Sequence, residues 1–168
     1  MPDRLYMEDT LETVVNYLND NFVTMLTAIR TERDDTVTPD PAEQYDDRIA
    51  KRGVTQSNRY PRIEVLPLTM SHDYGPEDAP LIRPWLIAEV VLRITHVAAH
   101  ISEVENTLLR YSEAINRLQE ADDTFGDQFN WVQLGDEDYS PMTENQETRQ
   151  LRQQVVISMT CRSMERRA

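Results

Sequence analysis

The stretch that decides the fold spans residues 85–121 and reads WLIAEVVLRITHVAAHISEVENTLLRYSEAINRLQEA. In its first part every second side chain is apolar, and these residues are Leu86, Ala88, Val90, Leu92 and Ile94. The side chains between them, from Ile87 to Thr95, are of mixed character. Successive side chains of a strand point to opposite faces, so the pattern predicts a long strand at 85–97 with one face in the core. One apolar and one mixed face is typical of an antiparallel sheet covered on one side.

The second part of the stretch predicts a helix. Ser102 and Glu105 have the spacing of a capping box, in which each side chain bonds the backbone N–H of the other residue. An apolar stripe follows at steps of three and four residues, at Val104, Leu108, Tyr111, Ile115 and Leu118. We expect the helix to end near residue 121, with Gly126 free to adopt a positive φ just beyond it.

The rest of the chain supplies one more helix and three more strands. A helix is predicted from about residue 10 to 31, with Asp9 or Thr10 as its N-cap. Its apolar stripe comprises Leu11, Val14, Val15, Leu18, Phe22, Met25, Leu26 and Ile29. Strands are predicted at 60–67, at 129–134 and at 149–163. The order α-β-β-α-β-β indicates one α+β domain over residues 1–168, with a four-stranded, mainly antiparallel sheet and two helices packed on one face.

Three long connections are predicted, at residues 32–59, 68–84 and 135–146. The first and the last are acidic and poor in periodic apolar residues, and binding residues concentrate on loops of a rigid scaffold. We therefore expect both to be partner-binding arms; the alternative for the first is a passive surface insertion. The candidate partner-binding residues are Tyr45, Ile49 and Val54 in the first arm, Tyr139 and Met142 in the last, and Trp131 on the strand between them. Trp131 is expected either in the core or in an aromatic patch at a subunit interface.

The charge balance narrows the choice of partners. The chain has 30 acidic and 17 basic residues, for a net charge of −13, and 16 of the bases are arginine. Phosphates are repelled by such a surface, which argues against duplex DNA or an anionic membrane as a tightly bound partner. The acidity is typical of a protein from a salt-adapted host, while the arginine bias is also explained by a GC-rich genome. The sequence contains neither a run of about 18 apolar residues nor a secretory signal.

No catalytic, cofactor or metal site is predicted. The four glycines stand far apart, so there is no glycine-rich phosphate loop, and no G-x-S-x-G motif occurs. His96 and His100 straddle a strand end and a helix start, whereas metal ligands four apart need a single helical turn. The single cysteine, Cys161, falls on the apolar face of the last strand and is expected to be a buried structural thiol.

The arrangement resembles the tail terminator proteins of long-tailed phages and archaeal tailed viruses. The resemblance covers nearly the whole chain: an amphipathic opening helix, the proline-flanked strand YPRIEVLP, the long strand WLIAEVVLRITHVA, the capped helix SEVENTLLRYSEAINRLQEA, the segment FNWVQLGDEDYSPM and the closing strand LRQQVVISMTC. The segments 32–59 and 68–84 are longer than a minimal member of that group needs.

The resemblance implies a structural virion protein of the neck, without enzymatic activity or cofactor. Such proteins form a hexameric ring that ends the tail tube and joins it to the head, so the implied partners are further copies of the chain, the tail tube protein and a head–tail connector or head completion protein. Viral DNA would pass through the ring without specific binding. The implied location is the virion, with assembly in the host cytoplasm and no membrane association. Two alternatives stay open: another neck adaptor, namely a tail completion or head closure protein, and a non-viral α+β binding protein.

Overall fold

The computed structural model describes residues 6–34, 49–51, 60–77 and 84–164. Two helices lie in these ranges, α1 (Met7–Arg33) and α2 (Ile101–Ala121). The strands are β1 (Ile49–Lys51), β2 (Arg62–Asp73), β3 (Trp85–Ala98), β4 (Trp131–Tyr139), β5 (Thr143–Glu144) and β6 (Leu151–Met164).

The six strands form one mixed sheet. Their order is β1-β2-β3-β6-β4, and β5 pairs with β6 outside that path. Among the described strands only the β1–β2 pair is parallel, and the other pairs are antiparallel. The predicted α+β class is confirmed, whereas the four-stranded sheet and the order α-β-β-α-β-β are wrong in detail, because β1 and β5 were not predicted.

Several predicted loop residues belong to strands instead. Residues 68–73 of the predicted loop 68–84 continue β2, and residues 135–139 of the predicted loop 135–146 continue β4. Residues 68–73 alternate only from Leu68 to Ser71, and residues 135–139 (GDEDY) do not alternate, so the periodic signal is short or missing. Both pair through backbone hydrogen bonds with long, strongly patterned neighbours, β3 and β6, and such bonds do not depend on the side chains.

Both helices contribute to one core on one face of the sheet. On β3 the alternate residues from Leu86 to Ile94 are buried as predicted, and so are all five predicted stripe residues of α2. The α1 residues in this core are Leu11, Val14, Leu18, Phe22, Leu26 and Ile29, while Val15 and Met25 are only partly buried. The closing strand adds Val155, Ile157, Met159 and Cys161. The opposite face of the sheet is not covered by either helix.

The helix ends differ from the predicted caps. The first helix begins three residues earlier than expected, and the Tyr6 backbone N–H donates to the Asp9 carboxylate at 3.1 Å. The second helix has His100 at its N-cap without a side-chain bond, so the predicted capping box at Ser102 and Glu105 does not form. Gly126 has a φ of +70°, as expected beyond the end of α2. Neither described helix is long and apolar enough to cross a membrane.

Candidate interaction surface

The face of the sheet that neither helix covers, among the described residues, is here called the open sheet face, and it has a buried carboxylate on β2. Glu64 of β2 lies opposite Arg93 of β3, and the Arg93 guanidinium donates to Glu64 Oε2 from Nη2 at 2.7 Å and from Nε at 2.9 Å. Arg62 Nη2 lies 3.4 Å from the same oxygen. The Glu64 side chain is 8% exposed, against 20% for Arg62 and 28% for Arg93. The two arginines therefore both neutralise and shield this carboxylate.

Aromatic and apolar side chains occupy one end of the open sheet face. The strand register places Ile87, Arg162 and Trp131 side by side on β3, β6 and β4. The Arg162 guanidinium carbon lies 5.0 Å from the centroid of the Trp131 ring, within the range of a cation–π contact. In the next row, Trp85 is opposite Met164, whose side chain is 39% exposed. These two rows of the register form a partly uncovered apolar patch beside an arginine in cation–π contact.

Charges on the open sheet face are balanced. By strand register its bases are Arg62, Arg93, Arg152 and Arg162, and its acids are Glu64, Asp73, Glu89 and Asp138. One of these acids, Glu89, accepts a hydrogen bond of 2.6 Å from the Thr69 hydroxyl on the neighbouring strand. A face with four bases and four acids is unexpected in a chain of net charge −13.

The opposite, helical side of the molecule carries a large excess of acid. Residues 7–34 and 101–128, which form α1, α2 and the turn after α2, contain thirteen carboxylates and four arginines. All four arginines lie on the two helices, at positions 30, 33, 110 and 117. Lys51 of β1 adds one base to this side, 3.8 and 3.6 Å from Glu8 and Glu12. Among the described residues, the excess of acid thus lies on the side away from the open sheet face.

An ion cluster joins the end of α1 to α2 on this side. Arg33 Nη2 lies 2.9 Å from Glu113 Oε1, and Arg117 Nη2 lies 2.8 Å from the same oxygen. Arg117 also contacts Glu32 at 2.5 Å. Partial burial raises the pKa of Glu113, but the hydrogen bonds and charges of Arg33 and Arg117 outweigh it and hold this pKa below its ordinary value. The cluster ties the two helices together.

A groove of about 700 Å³ runs between α1 and the turn after α2. The Tyr17 ring stacks on Phe125 with 4.1 Å between centroids, and Phe125 has a left-handed φ of 50°. The Asp122 carboxylate accepts hydrogen bonds from the backbone N–H groups of Thr124 and Gly126, at 2.9 and 2.6 Å. Burial and the nearby Asp122 carboxylate raise the pKa of Tyr17 to about 12. These contacts fix the turn that follows α2.

The structure separates the predicted partner-binding residues. Trp131 lies on the open sheet face, next to Arg162. Ile49 is 8% exposed and belongs to the core in β1, while Tyr139 and Met142 are partly buried against the same core. Tyr45 and Val54 lie outside the described residues. That these six residues bind a partner stays a prediction, and the described part of the chain brings only Trp131 to the open sheet face.

Sequence reasoning missed the Glu64–Arg93 pair and the Trp131–Arg162 contact. The partners are 29 and 31 positions apart, so only the strand register reveals them. Within the described ranges, no three His, Cys, Asp or Glu side chains are grouped as metal ligands would be. No protein-family model matches this sequence, and no curated protein matches it either.

Proposed function

We propose that this chain is a structural protein of a viral neck, which forms a ring that ends the tail tube and joins the tail to the head. The observation that carries the proposal is the separation of charge between the two sides of the molecule. Among the described residues, the helical side has thirteen carboxylates, four arginines and Lys51, and the open sheet face has four acids and four bases.

The acidic helical side has the chemistry that a DNA passage requires. Double-stranded DNA carries two negative charges per base pair, and a basic channel wall would bind and retain it. A wall lined with carboxylates repels the phosphates and lets the duplex slide without sticking. In the proposed ring, carboxylates of the helical side border the lumen, and viral DNA passes them without specific binding.

A ring subunit also needs contact surfaces for its neighbours and for the tail tube and connector. A head-to-tail contact that closes on itself makes a ring, and it uses two different patches of each subunit. The arms at residues 32–59 and 135–146 are the proposed contacts with the tail tube protein and with the head–tail connector or head completion protein. Residues 135–139 of the second arm lie in β4, where Asp136 is exposed and Glu137 accepts a hydrogen bond from Asn116. The proposed location is the neck of the virion.

The mass of the purified protein in solution tests the proposal. Six copies of the 19.6 kDa chain give about 118 kDa, which native mass spectrometry and sedimentation velocity resolve from a monomer or a dimer. The measurement is made at low and at molar salt, because salt screens repulsion between acidic subunits. We expect a species of about 118 kDa that does not retain duplex DNA. A monomer or dimer under both conditions would favour the non-viral binding protein instead.

Binding to separated virus parts distinguishes a terminator from another neck adaptor. A tail terminator binds the end of a purified tail tube, whereas a head closure protein binds a DNA-filled head that lacks a tail. We expect the protein to bind tails and to stop further tube growth in a polymerisation assay. Binding to heads alone would assign it to the head side of the neck.

A further inference from the structure

We infer that the open sheet face is the surface through which one copy of this chain packs against a second copy. The inference rests on the proposed function, because it assigns a contact surface within the proposed ring. It joins three observations that are independent of one another: the size of the face, its charge balance and its side-chain composition.

The open sheet face has the size of a specific protein interface. β3 and β6 are 14 residues long, so at about 3.3 Å per residue each spans about 45 Å. The four strands β2, β3, β6 and β4 at spacings of about 4.8 Å give a width of about 19 Å, and the shorter β4 reduces the area to roughly 700–800 Å². Stable interfaces bury about 800 Å² on each partner, so this face supplies one half of a standard interface.

Charge favours a second copy as the occupant of this face. Two molecules of net charge −13 repel one another, and contact through their helical sides brings uncompensated carboxylates together. The open sheet face is where the described chain offers equal numbers of acids and bases. Its most deeply placed carboxylate, Glu64, is already paired with Arg93 and Arg62. The exposed Arg152 and Arg162 are available to acids of a neighbour.

The composition of the face matches that of interface centres. Tryptophan, methionine and arginine are enriched in interfaces, and tryptophan and arginine dominate the residues whose truncation weakens binding most. The cation–π pair of Trp131 and Arg162, with Ile87 beside it and Trp85 and Met164 in the next row, has this character. Because the arginine already contacts the indole ring, less of its side-chain freedom remains to be lost on association.

Charge introduced into the open sheet face tests the inference. Met164→Glu adds an acid where the side chain is 39% exposed, and Arg162→Glu reverses an exposed charge. The matched control is Val23→Glu on α1, where the side chain is 41% exposed on the helical side. Sedimentation velocity over a concentration series measures the midpoint of assembly, and circular dichroism melts check that each variant folds. Should Met164→Glu fail to fold, Arg162→Glu alone decides, since its side chain lies at the surface.

We expect both face variants to raise the midpoint concentration of assembly at least about 30-fold, and the control to change it less than about threefold. If the unmodified protein assembles and the face variants assemble equally well, the inference is overturned. The proposed ring then stands, and the open sheet face becomes a candidate contact for a tube or connector protein. If the unmodified protein is monomeric at every concentration and salt, the proposed function fails together with the inference.

Discussion

Leu108→Ala measures how strongly α2 is held on the sheet. Leu108 is fully enclosed within the core, at 0% exposure. Truncation removes the transfer free energy of the lost carbon atoms and leaves a cavity, for which enclosed leucines cost about 2.7–5.0 kcal/mol. Two helices and a sheet surround this side chain and cannot all move inward to fill the cavity. We therefore expect the free energy of unfolding to fall by about 3–4 kcal/mol.

The next residue provides a matched control. Leu109 is 50% exposed on the same helix, so Leu109→Ala makes the same chemical change and leaves no enclosed cavity. We expect it to cost less than about 1 kcal/mol. The two variants have equal helix propensities, so their difference isolates burial.

Urea denaturation followed by circular dichroism and tryptophan fluorescence measures both costs at one protein concentration, because assembly adds to apparent stability. With a slope of about 2 kcal/mol per molar urea, Leu108→Ala should lower the midpoint by about 1.5–2 M. A loss below about 1 kcal/mol for Leu108→Ala, or equal losses for the two variants, would show that the assigned face of α2 is wrong.

Three further predictions follow from individual side chains. Glu64→Gln leaves the guanidinium groups of Arg62 and Arg93 facing a neutral amide. Because removing one partner of a buried ion pair costs about 3–5 kcal/mol, we expect this variant to lose about 2–4 kcal/mol of stability in the same urea assay. Hydrogen bonds, of which the one from the Thr124 hydroxyl contributes most, hold the pKa of Asp122 below its ordinary value of 3.8. The ionised carboxylate therefore stabilises the fold above pH 3.8, and this contribution is lost as the pH falls through the lowered pKa. Asp122→Asn should therefore lower stability at neutral pH, and the difference from the unmodified chain should shrink in melts below about pH 4. Burial raises the pKa of Cys161 to about 12, so iodoacetamide at about pH 8 should modify this thiol only in the unfolded chain.

Each of these predictions has a contradicting result. Unchanged stability of Glu64→Gln would mean that the carboxylate is hydrated rather than enclosed. If the stability difference between Asp122→Asn and the unmodified chain stays constant from neutral to acid pH, the titration of Asp122 is not linked to folding. Rapid labelling of Cys161 under native conditions would show that β6 is not covered by the helices.

Periodic side chains allowed the core to be predicted from the sequence. The alternation along residues 85–97 marked the buried face of β3, and steps of three and four marked the buried side of α2. These signals are strong because a face that packs in a core needs apolar residues at every repeat. They identify which residues are buried, but they do not identify which strands are neighbours.

Features that depend on strand neighbours were not predictable. The three residues of β1 are too few to show a period, and their position beside Ile63 to Val65 depends on the parallel pairing. The Glu64–Arg93 pair and the Trp131–Arg162 contact likewise depend on register. A local motif also gave a wrong prediction at the N-terminus of α2: Ser102 and Glu105 fit a capping pattern, yet the helix begins at Ile101.

The orientation of the subunit in the assembled particle tests the proposal most directly. Single-particle electron microscopy of the purified assembly, at a resolution that separates helices from strands, determines it. The account predicts a closed ring of six copies, in which each open sheet face is buried against the next copy and carboxylates of the helical side border the central opening. A ring with the helices on its outer rim and a neutral or basic lumen, or particles that never close into a ring, would contradict it.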